Sequence, residues 1–470
     1  MIQLTRNLLR GPYGLFIALF FLGLALRVGY GIARYGGDLL HSRDGAFIGR
    51  WDYDAAEHVA IAHALLSGQG HLVADLPELQ AKHARGVGQD AIFKAPLYQF
   101  MLAGLFGLFG FSFIPLLGAQ AILGGLLSGL WGVLTLTVFQ QRSTAWFAGL
   151  ATALHPVLVN SASQPYNENL YFFLFAATLC MFFRWLRRTS KGAAWAFGLL
   201  AGLWILTRDS AFSVVVVLLL VAAWWCSTRS KPLGHVALMT LATIVMISPW
   251  TLRNYWHHGL FVPVASIAGA ALLEGNNPCV APESLFTPFW GEGPCKVTDE
   301  KRAQALASLK LPEPISMVWK DRIAGRIAAE FIVENPLSYL KLSARRLWTV
   351  LLPFNPRAEQ GPVQRFAFTM YWLAVVPAGL VGIAMSVRWS PLEPRLLALI
   401  AAASLATLAA VVVWSDLRYR VGLDIILSSF AGWAYSRLAG SVFGSQLAPR
   451  RALRTTNNLA IRPLGSPPRR

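Results

Sequence analysis

The sequence predicts an all-α protein built into a lipid bilayer, and three observations predict it. Hydrophobic residues make up 55% of the 470-residue chain and charged residues only 14%, proportions that one soluble core cannot accommodate. Apolar stretches of about 18–25 residues, each able to cross about 30 Å of hydrocarbon as a helix, recur along most of the length. No internal repeat at the periods of about 20–50 residues that mark solenoids is found, so the helices are expected to pack as a bundle.

The elements follow in order. The basic N-terminus, MIQLTRNLLRGPYG, leads into an apolar run from Leu15 to Val28 with no small-x-small cleavage site after it, which predicts an uncleaved first helix starting in the cytoplasm. Further runs near 114–138, 145–163, 167–186, 193–207, 210–226, 234–252, 365–387, 394–414 and 421–437 bring the expected spans to ten. The apolar stretch from Leu97 to Ile114 is expected to lie along the outer leaflet, because counting it as a crossing would reverse everything after it. Positive charge decides this. With Leu97–Ile114 interfacial, the connections carrying Arg142, then Arg184, Arg187, Arg188 and Lys191, then Arg229 and Lys231, then Arg388 and Arg395 all become cytoplasmic, with Glu393 the one acid among them. The net charge of +18 then reflects orientation and contact with anionic lipid, and nucleic acid is not an expected partner.

This topology divides the chain into an N-terminal transmembrane module, 1–253, an extracytoplasmic segment, 254–364, C-terminal transmembrane helices, 365–437, and a basic cytoplasmic tail, 438–470. The module carries a first outer loop, 35–94, rich in acids. Ionisable groups from distant parts of the chain meet at the outer face: Asp54, Glu57 and His58, then Lys94, Glu168, Arg208, Arg253, Arg418 and Arg420. Any one arginine at a helix end can snorkel to headgroups; several on the side that should be depleted in them suggest a site.

Ordered along the chain are "DAAEHVAIAHALLSGQG", "KAPLY", "NENLYFFL", "GLLAGLWILTRDSA", "SPWTLRNYWHHGLFVPV" with "EGNNP", "ENPLSYLKLSARRLW" and "DLRYRVGLDIIL". This set resembles the GT-C glycosyltransferases, in particular the bacterial group akin to protein O-mannosyltransferases and the lipid A aminoarabinose transferase. The resemblance implies a GT-C helical bundle in a bacterial cell membrane, with interfacial helices in the first outer loop. It also implies transfer of a sugar from a polyprenyl-phosphate donor to a glycolipid, polysaccharide or protein acceptor at the extracytoplasmic face. Asp54 occupies the place of the family's acceptor-activating carboxylate. An inverting transfer needs such a base to take a proton while the anomeric carbon is attacked opposite the phosphate. Helical spacing puts Glu57 and His58 on the face of Asp54, where either orients the acceptor or holds the base; Asp52 is a candidate helix cap.

No nucleotide-sugar acid motif or glycine-rich phosphate loop is evident, so cationic side chains are expected to hold the donor phosphate. The resemblance points to Lys94, which precedes Ala95 and Pro96 where the family has a double proline. Arg253, Arg418 and Arg420 are the further candidates, and Lys94 as a plain interfacial anchor is the alternative. Glu168 matches a recurrent acid of the family and either supports the acceptor or interacts with a helix N-terminus. Arg208, Tyr419 and Asn254 are the other candidates for acceptor binding or support. Asp209 stands where the family commonly has proline.

His41, His58, His63, His71 and His83 in the first outer loop raise a metal site, but no HExxH or paired Cys/His set is present. No cofactor is expected, with a divalent cation between Asp54 and His58 the alternative. Cys180 and Cys226 read as packing residues, whereas Cys279 and Cys295 share the large outer loop and are expected to form a disulfide. Residues 336–353 read as an amphipathic interfacial helix with Lys341, Arg345 and Arg346 near headgroups. A transporter or flippase is the alternative function, though it would show repeats and midplane charges. Cysteine-accessibility labelling should find Arg187 on the cytoplasmic side and Trp290 on the other; labelling of both from one side would reverse the orientation assigned to every later helix.

Overall fold

The computed structural model describes residues 11–36, 53–74, 88–280, 296–309, 315–353, 361–389, 393–413 and 417–442. Within them the chain folds into helices, with one antiparallel bridge between Leu72 and Asp90.

The first helix, α1 (Pro12–Tyr35), runs further than its apolar core because Arg27 is buried rather than terminal. The Arg27 guanidinium donates to Gly23 O at 3.0 Å, and to Asn169 Oδ1 and Ala153 O, each at 3.4 Å. Next come α2 (Tyr53–Leu66) and α3 (Leu97–Phe109), which pack on each other. At 13 residues, α3 is about 20 Å long and falls short of the roughly 30 Å a crossing needs, as the interfacial reading of this stretch expects. After it α4 (Phe113–Phe139) starts at Ser112, whose Oγ accepts from Ile114 N at 3.4 Å.

The span expected over 145–163 is not one helix but two, α5 (Arg142–Ala153) and α6 (Pro156–Ala162). Pro156 lacks an N–H and its ring clashes with the preceding turn, so the helix breaks at His155. The bundle continues with α7 (Glu168–Arg188), α8 (Lys191–Thr207), α9 (Ala211–Thr228) and α10 (Gly234–His258). Four further helices fill the expected extramembrane segment: α11 (Ala268–Gly275), α12 (Lys296–Ser308), α13 (Met317–Glu334) and α14 (Pro336–Leu351). The last three are α15 (Pro362–Trp389), α16 (Pro394–Val412) and α17 (Leu417–Val442). Among the described residues six helices, α1, α4, α7, α9, α10 and α15, are long and apolar enough to cross a bilayer, and α3, α8 and the start of α16 are shorter apolar helices. The chain is an all-α integral membrane protein.

Small residues set how closely the spans approach, as they must where lipid leaves no hydrophobic force between helices. Gly125 and Gly129 of α4 lie against Phe20 and Phe16 of α1, and Gly198 of α8 against the backbone of α10 at Met239. Gly379 and Gly382 of α15 lie against Leu427 and Phe430 of α17. Outside the spans, Leu273 of α11 and Ile323, Ala324, Ile327 and Ala328 of α13 make a small separate core.

Helix α14 forms where its amphipathic pattern predicts, yet Arg346 does not reach headgroups. It is buried and donates to Asn276 Oδ1 at 3.1 Å, to Val412 O at 3.0 Å and to Gly275 O. Carbonyls at the ends of α11 and α16 lack intrahelical donors, and Arg346 satisfies them, tying α14 to both helices. A Cβ on Gly198 would run into the Met239 carbonyl, whereas one on Gly192 meets nothing within 4 Å. Gly198→Val should therefore destabilise the bundle by about 1–3 kcal/mol, read as a lower Tm in detergent, and Gly192→Ala should leave Tm unchanged or raise it.

Candidate active site

Five separate stretches meet at the end of the bundle where α7 begins: the first turn of α2, the segment before α3, the start of α7, the turn after α8 and the start of α17. At their meeting point Lys94 Nζ contacts Asp54 Oδ1 and lies 3.0 Å from Glu57 Oε2. The other oxygen of Asp54 accepts from Arg418 Nη1 at 3.1 Å, and the same nitrogen is 3.8 Å from Glu168 Oε1. Arg208, which ends α8, stacks over Tyr419 with its guanidinium carbon 4.9 Å from the ring centre. Arg418 stacks likewise over Tyr166 at 5.0 Å. The sequence candidates Asp54, Glu57, His58, Lys94, Glu168, Arg208, Arg418 and Tyr419 thus gather in one place.

Local structure explains the gathering. Asp54 and Glu57 are one helical turn apart on α2 and face the same way. Gln120 of α4, fully buried, donates to Tyr98 Oη at 2.7 Å and to Tyr166 O at 2.6 Å, which fixes α3 and the α6–α7 connection together. Beneath Asp54, His58 meets Tyr98 edge-on, their ring centres 5.0 Å apart. Its Nδ1 donates to the Gln99 amide oxygen at 2.8 Å once that amide turns its NH2 to the Ala95 and Pro96 carbonyls.

The charges are unequal in exposure: the Asp54 side chain is 32% exposed, Arg418 26%, Lys94 12%, and Glu57 and Glu168 are closed off. Burial alone would raise the Asp54 carboxyl, but Lys94 and Arg418 outweigh it and hold Asp54 well below the usual carboxylate range. Burial lowers the Lys94 ammonium, yet the Asp54 and Glu57 carboxylates more than offset this and raise it. For His58, burial and then Lys94 win over Asp54, so its imidazole is pushed well below its ordinary value and is neutral. The site therefore presents an ionised, solvent-reaching carboxylate gripped by two cations. From Arg208 and Arg418 an apolar groove continues along Phe172 and Phe175 of α7, Trp204 of α8 and Ile426 of α17.

The remaining candidates lie elsewhere. Arg253 caps the far end of the first-loop segment: both its terminal nitrogens donate to Asp90, and it stacks over Trp250. Asn254 is buried and donates to Val262 O and Val264 O at 3.1 and 3.2 Å, holding the turn after α10. Arg420 lies two residues from Arg418, about 200° around the helix, and so faces the bundle interior. There it donates to Asp424 Oδ2 at 2.9 Å, to Val350 O at 3.2 Å and to Leu352 O, while His155 Nε2 lies 3.4 Å from the same Asp424 oxygen.

Where the alternative reading placed a divalent cation, Asp54 pairs with Lys94 and Arg418, and Nδ1 of His58 pairs with Gln99. Among the described residues, a carboxylate and two imidazoles suited to a divalent ion converge instead at Asp90, His257 and His258, with donor atoms within 4.8 Å of one another. Cys279 is disulfide-bonded and Cys180 and Cys226 are free thiols. Cys295, with Asp52, His41, His83 and Trp290, lies outside the described residues.

No family model matches the chain, and no curated protein sequence matches it. Among solved structures it is similar to the archaeal oligosaccharyltransferase AglB from Archaeoglobus fulgidus, in complex with an inhibitory peptide and a dolichol-phosphate. That match has TM-score 0.51 and 13% identity and covers 91% of this chain. The chain shares this fold, of the GT-C type. It spans 50% of the length of AglB. A weaker likeness is to ArnT from Cupriavidus metallidurans bound to undecaprenyl phosphate, with TM-score 0.37 and 16% identity over 92% of this chain and 78% of that one. Within the GT-C fold, sequence reasoning missed Tyr166, Gln99, Gln120 and the acid Asp90. Tyr166 stands directly before the "NENLYFFL" stretch; the two glutamines sit in apolar helices, where an amide is a signal of buried pairing. Breaking the Arg420–Asp424 pair strands a buried carboxylate, so Arg420→Met should cost about 3–5 kcal/mol of stability. Arg418→Met, at a part-exposed pair, should leave Tm within a few degrees; equal losses in thermal scans of the two would overturn the division made here between site and scaffold.

Proposed function

We propose that the protein transfers a sugar from a polyprenyl-phosphate donor to an acceptor glycan, lipid or protein at the extracytoplasmic membrane face. The observation that carries this reading is the position of Asp54: a carboxylate open to solvent, between two cations, beside a groove whose walls are aromatic and aliphatic. The groove suits an isoprenoid chain. Lys94, Arg418 and Arg208 suit its phosphate, the arginines gripping two oxygens at once and the lysine supplying a compact charge. The fold is that of an archaeal enzyme solved with a dolichol-phosphate, a lipid phosphate of the class proposed.

In this mechanism the acceptor's hydroxyl or amine lies against the exposed oxygen of Asp54. As its nucleophilic atom attacks the anomeric carbon opposite the phosphate, its proton passes to Asp54 and the glycosidic C–O bond to phosphate breaks. The charge that grows on the leaving phosphate is met by groups already in place, without solvent reorganisation. Drawing Lys94 toward the phosphate also lessens its hold on Asp54, so the carboxylate becomes a better base as the donor seats. Glu57 and Glu168 hold the cations in position, and neutral His58 supports the turn of α2 from below.

Asp54→Asn keeps shape and hydrogen bonding but removes proton acceptance. Transfer of labelled sugar from a polyprenyl-phosphate donor, in membranes carrying only this variant, should fall about 100-fold or more with donor binding retained. Near-normal transfer would end the assignment of Asp54 as base. Lys94→Met and Arg418→Met should each weaken donor binding about 10-fold or more, the scale of one charge-assisted bond; unchanged binding in both would remove the phosphate site.

A further inference from the structure

The segment that carries Lys94 has a second polar centre, built on Asp90 and sharing no residue with the Asp54 cluster. Two histidines that end α10, His257 and His258, meet Asp90 there. Nε2 of His258 lies 3.3 Å from Asp90 Oδ1, and Nε2 of His257 lies 3.4 Å from Asp90 Oδ2. One donor atom from each of the three residues falls within 4.8 Å of the others. Both distances from imidazole to carboxylate exceed the roughly 2.7–3.2 Å of an N–H···O hydrogen bond. They match a different geometry. Ligand atoms held tetrahedrally at about 2.0–2.1 Å from one ion stand about 3.3 Å apart.

The surrounding residues support those three groups. Arg253 donates a terminal nitrogen to each oxygen of Asp90 and stacks over Trp250, which fixes the plane of the carboxylate. Each carboxylate oxygen has two acceptor positions, and Arg253 takes one on each. The other nitrogen of the His258 ring, Nδ1, lies 3.4 Å from Ser316 Oγ. A hydroxyl donates or accepts, so Ser316 can follow either tautomer of the ring: Nε2–H toward Asp90 without an ion, Nδ1–H toward Ser316 with Nε2 on one. Metal-ligating histidines hold their second nitrogen in this way. His258 is 8% exposed and His257 58%. The exposed ring is therefore the one that can turn to complete the set, with water as the fourth ligand.

We infer that Asp90, His257 and His258 form a site for a divalent first-row ion of the Zn2+ type, a clamp between the Lys94 segment and the end of α10. Ligand chemistry selects the ion. Imidazole nitrogens suit Zn2+ and its neighbours, whereas Mg2+ and Ca2+ call for oxygen ligands throughout. Arg253 sharpens the choice, because its charge offsets that of Asp90 and leaves little for an ion held by charge alone. The two nitrogens must supply the bonding.

Position gives the clamp its purpose. Lys94 follows Asp90 by four residues, and its backbone N–H donates to Ala91 O at 2.9 Å. Ile92, between them, packs with Val262 after α10 and Val318 of α13. Ser316 also caps α13, accepting from Val318 N at 3.3 Å. One ion thus ties three parts of the chain together beside Lys94, whether or not Lys94 holds a phosphate.

The test uses the full-length, tag-free protein in detergent, stripped of metal with a chelator. It is titrated with Zn2+ by calorimetry and with Co2+, whose visible spectrum reports tetrahedral nitrogen and oxygen ligands. Wild type should bind one equivalent of Zn2+, show the tetrahedral Co2+ bands and lose them to Zn2+, and gain Tm with the ion. Mg2+ at the same concentration should do none of this. His257→Ala removes an exposed ligand and leaves the fold intact; it and His258→Ala should each weaken Zn2+ binding about 100-fold or more, and Ser316→Ala about 10–100-fold, the scale of losing an outer partner. His63→Gln, on α2 and outside the cluster, should bind as wild type does. Wild-type protein that takes up no Zn2+ and shows no tetrahedral Co2+ spectrum overturns the site. Binding that survives in both His257→Ala and His258→Ala overturns it equally, and either result leaves the lipid-phosphate reading of Asp54 and its neighbours standing.

Discussion

A charge inside a membrane bundle has no water to solvate it, and this constraint governs the ionisable groups of this chain. A lone carboxylate or ammonium at such depth is far too costly to keep, so each must find a partner of opposite sign or a set of carbonyls. Asp54, Lys94 and Arg418 satisfy one another at the mouth of the bundle. Arg420 satisfies Asp424 and two carbonyls deeper in, and Arg27 draws on Gly23, Ala153 and Asn169. The difference between site and scaffold lies in how complete the satisfaction is and whether solvent can reach it. Arg420 is sealed and spent on structure. Asp54 is paired with cations that a phosphate can compete for.

The scaffold exists to hold those pairs in register. Asp54 and Arg418 are 364 residues apart in sequence, and nothing local brings them together. What does is a set of close helix contacts made by small residues, α1 on α4 and α15 on α17, with buried polar bridges such as Thr135–Ser429 across the bundle. Breaking α5 from α6 at Pro156 frees backbone carbonyls inside the bundle, and the Arg27 guanidinium answers one of them at Ala153. A helix break inside a bundle is tolerated only where such donors are at hand.

Much of this was legible in the sequence, because hydropathy and charge bias report directly on what lipid permits. The class and most of the apolar helices followed from apolar length and the interfacial reading of Leu97–Ile114 from charge bias, whereas α11, α12, α13 and the break at Pro156 were not anticipated; Asp54, Lys94, Glu168 and Arg208 stood out as charges bordering apolar runs. Three kinds of feature were not legible. Helix phase was one: "DLRYR" places Arg418 and Arg420 in the same motif, but a separation of two residues points them to opposite sides. Destination was another, since an arginine on an amphipathic helix such as Arg346 looks like a headgroup anchor until the carbonyl ends it serves are in view. Pairing was the third. Asp90 with Arg253, and Asp54 with Lys94, join residues whose sequence positions carry no mark of one another.

Pairing also decides how the chemistry proposed for Asp54 is compatible with its surroundings. A carboxylate pressed between Lys94 and Arg418 is a weak base, since both cations stabilise its ionised form. Were that arrangement fixed, the residue best placed to take a proton would be poorly suited to do so. It is not fixed if the substrate itself carries the anion for which the cations compete. The donor phosphate then loosens the grip on Asp54 when the sugar is in place, and water finds a subdued carboxylate at other times. Because the cations answer to both the acid and the phosphate, basicity rises with occupancy, and the free site avoids presenting a strong base beside an open membrane groove.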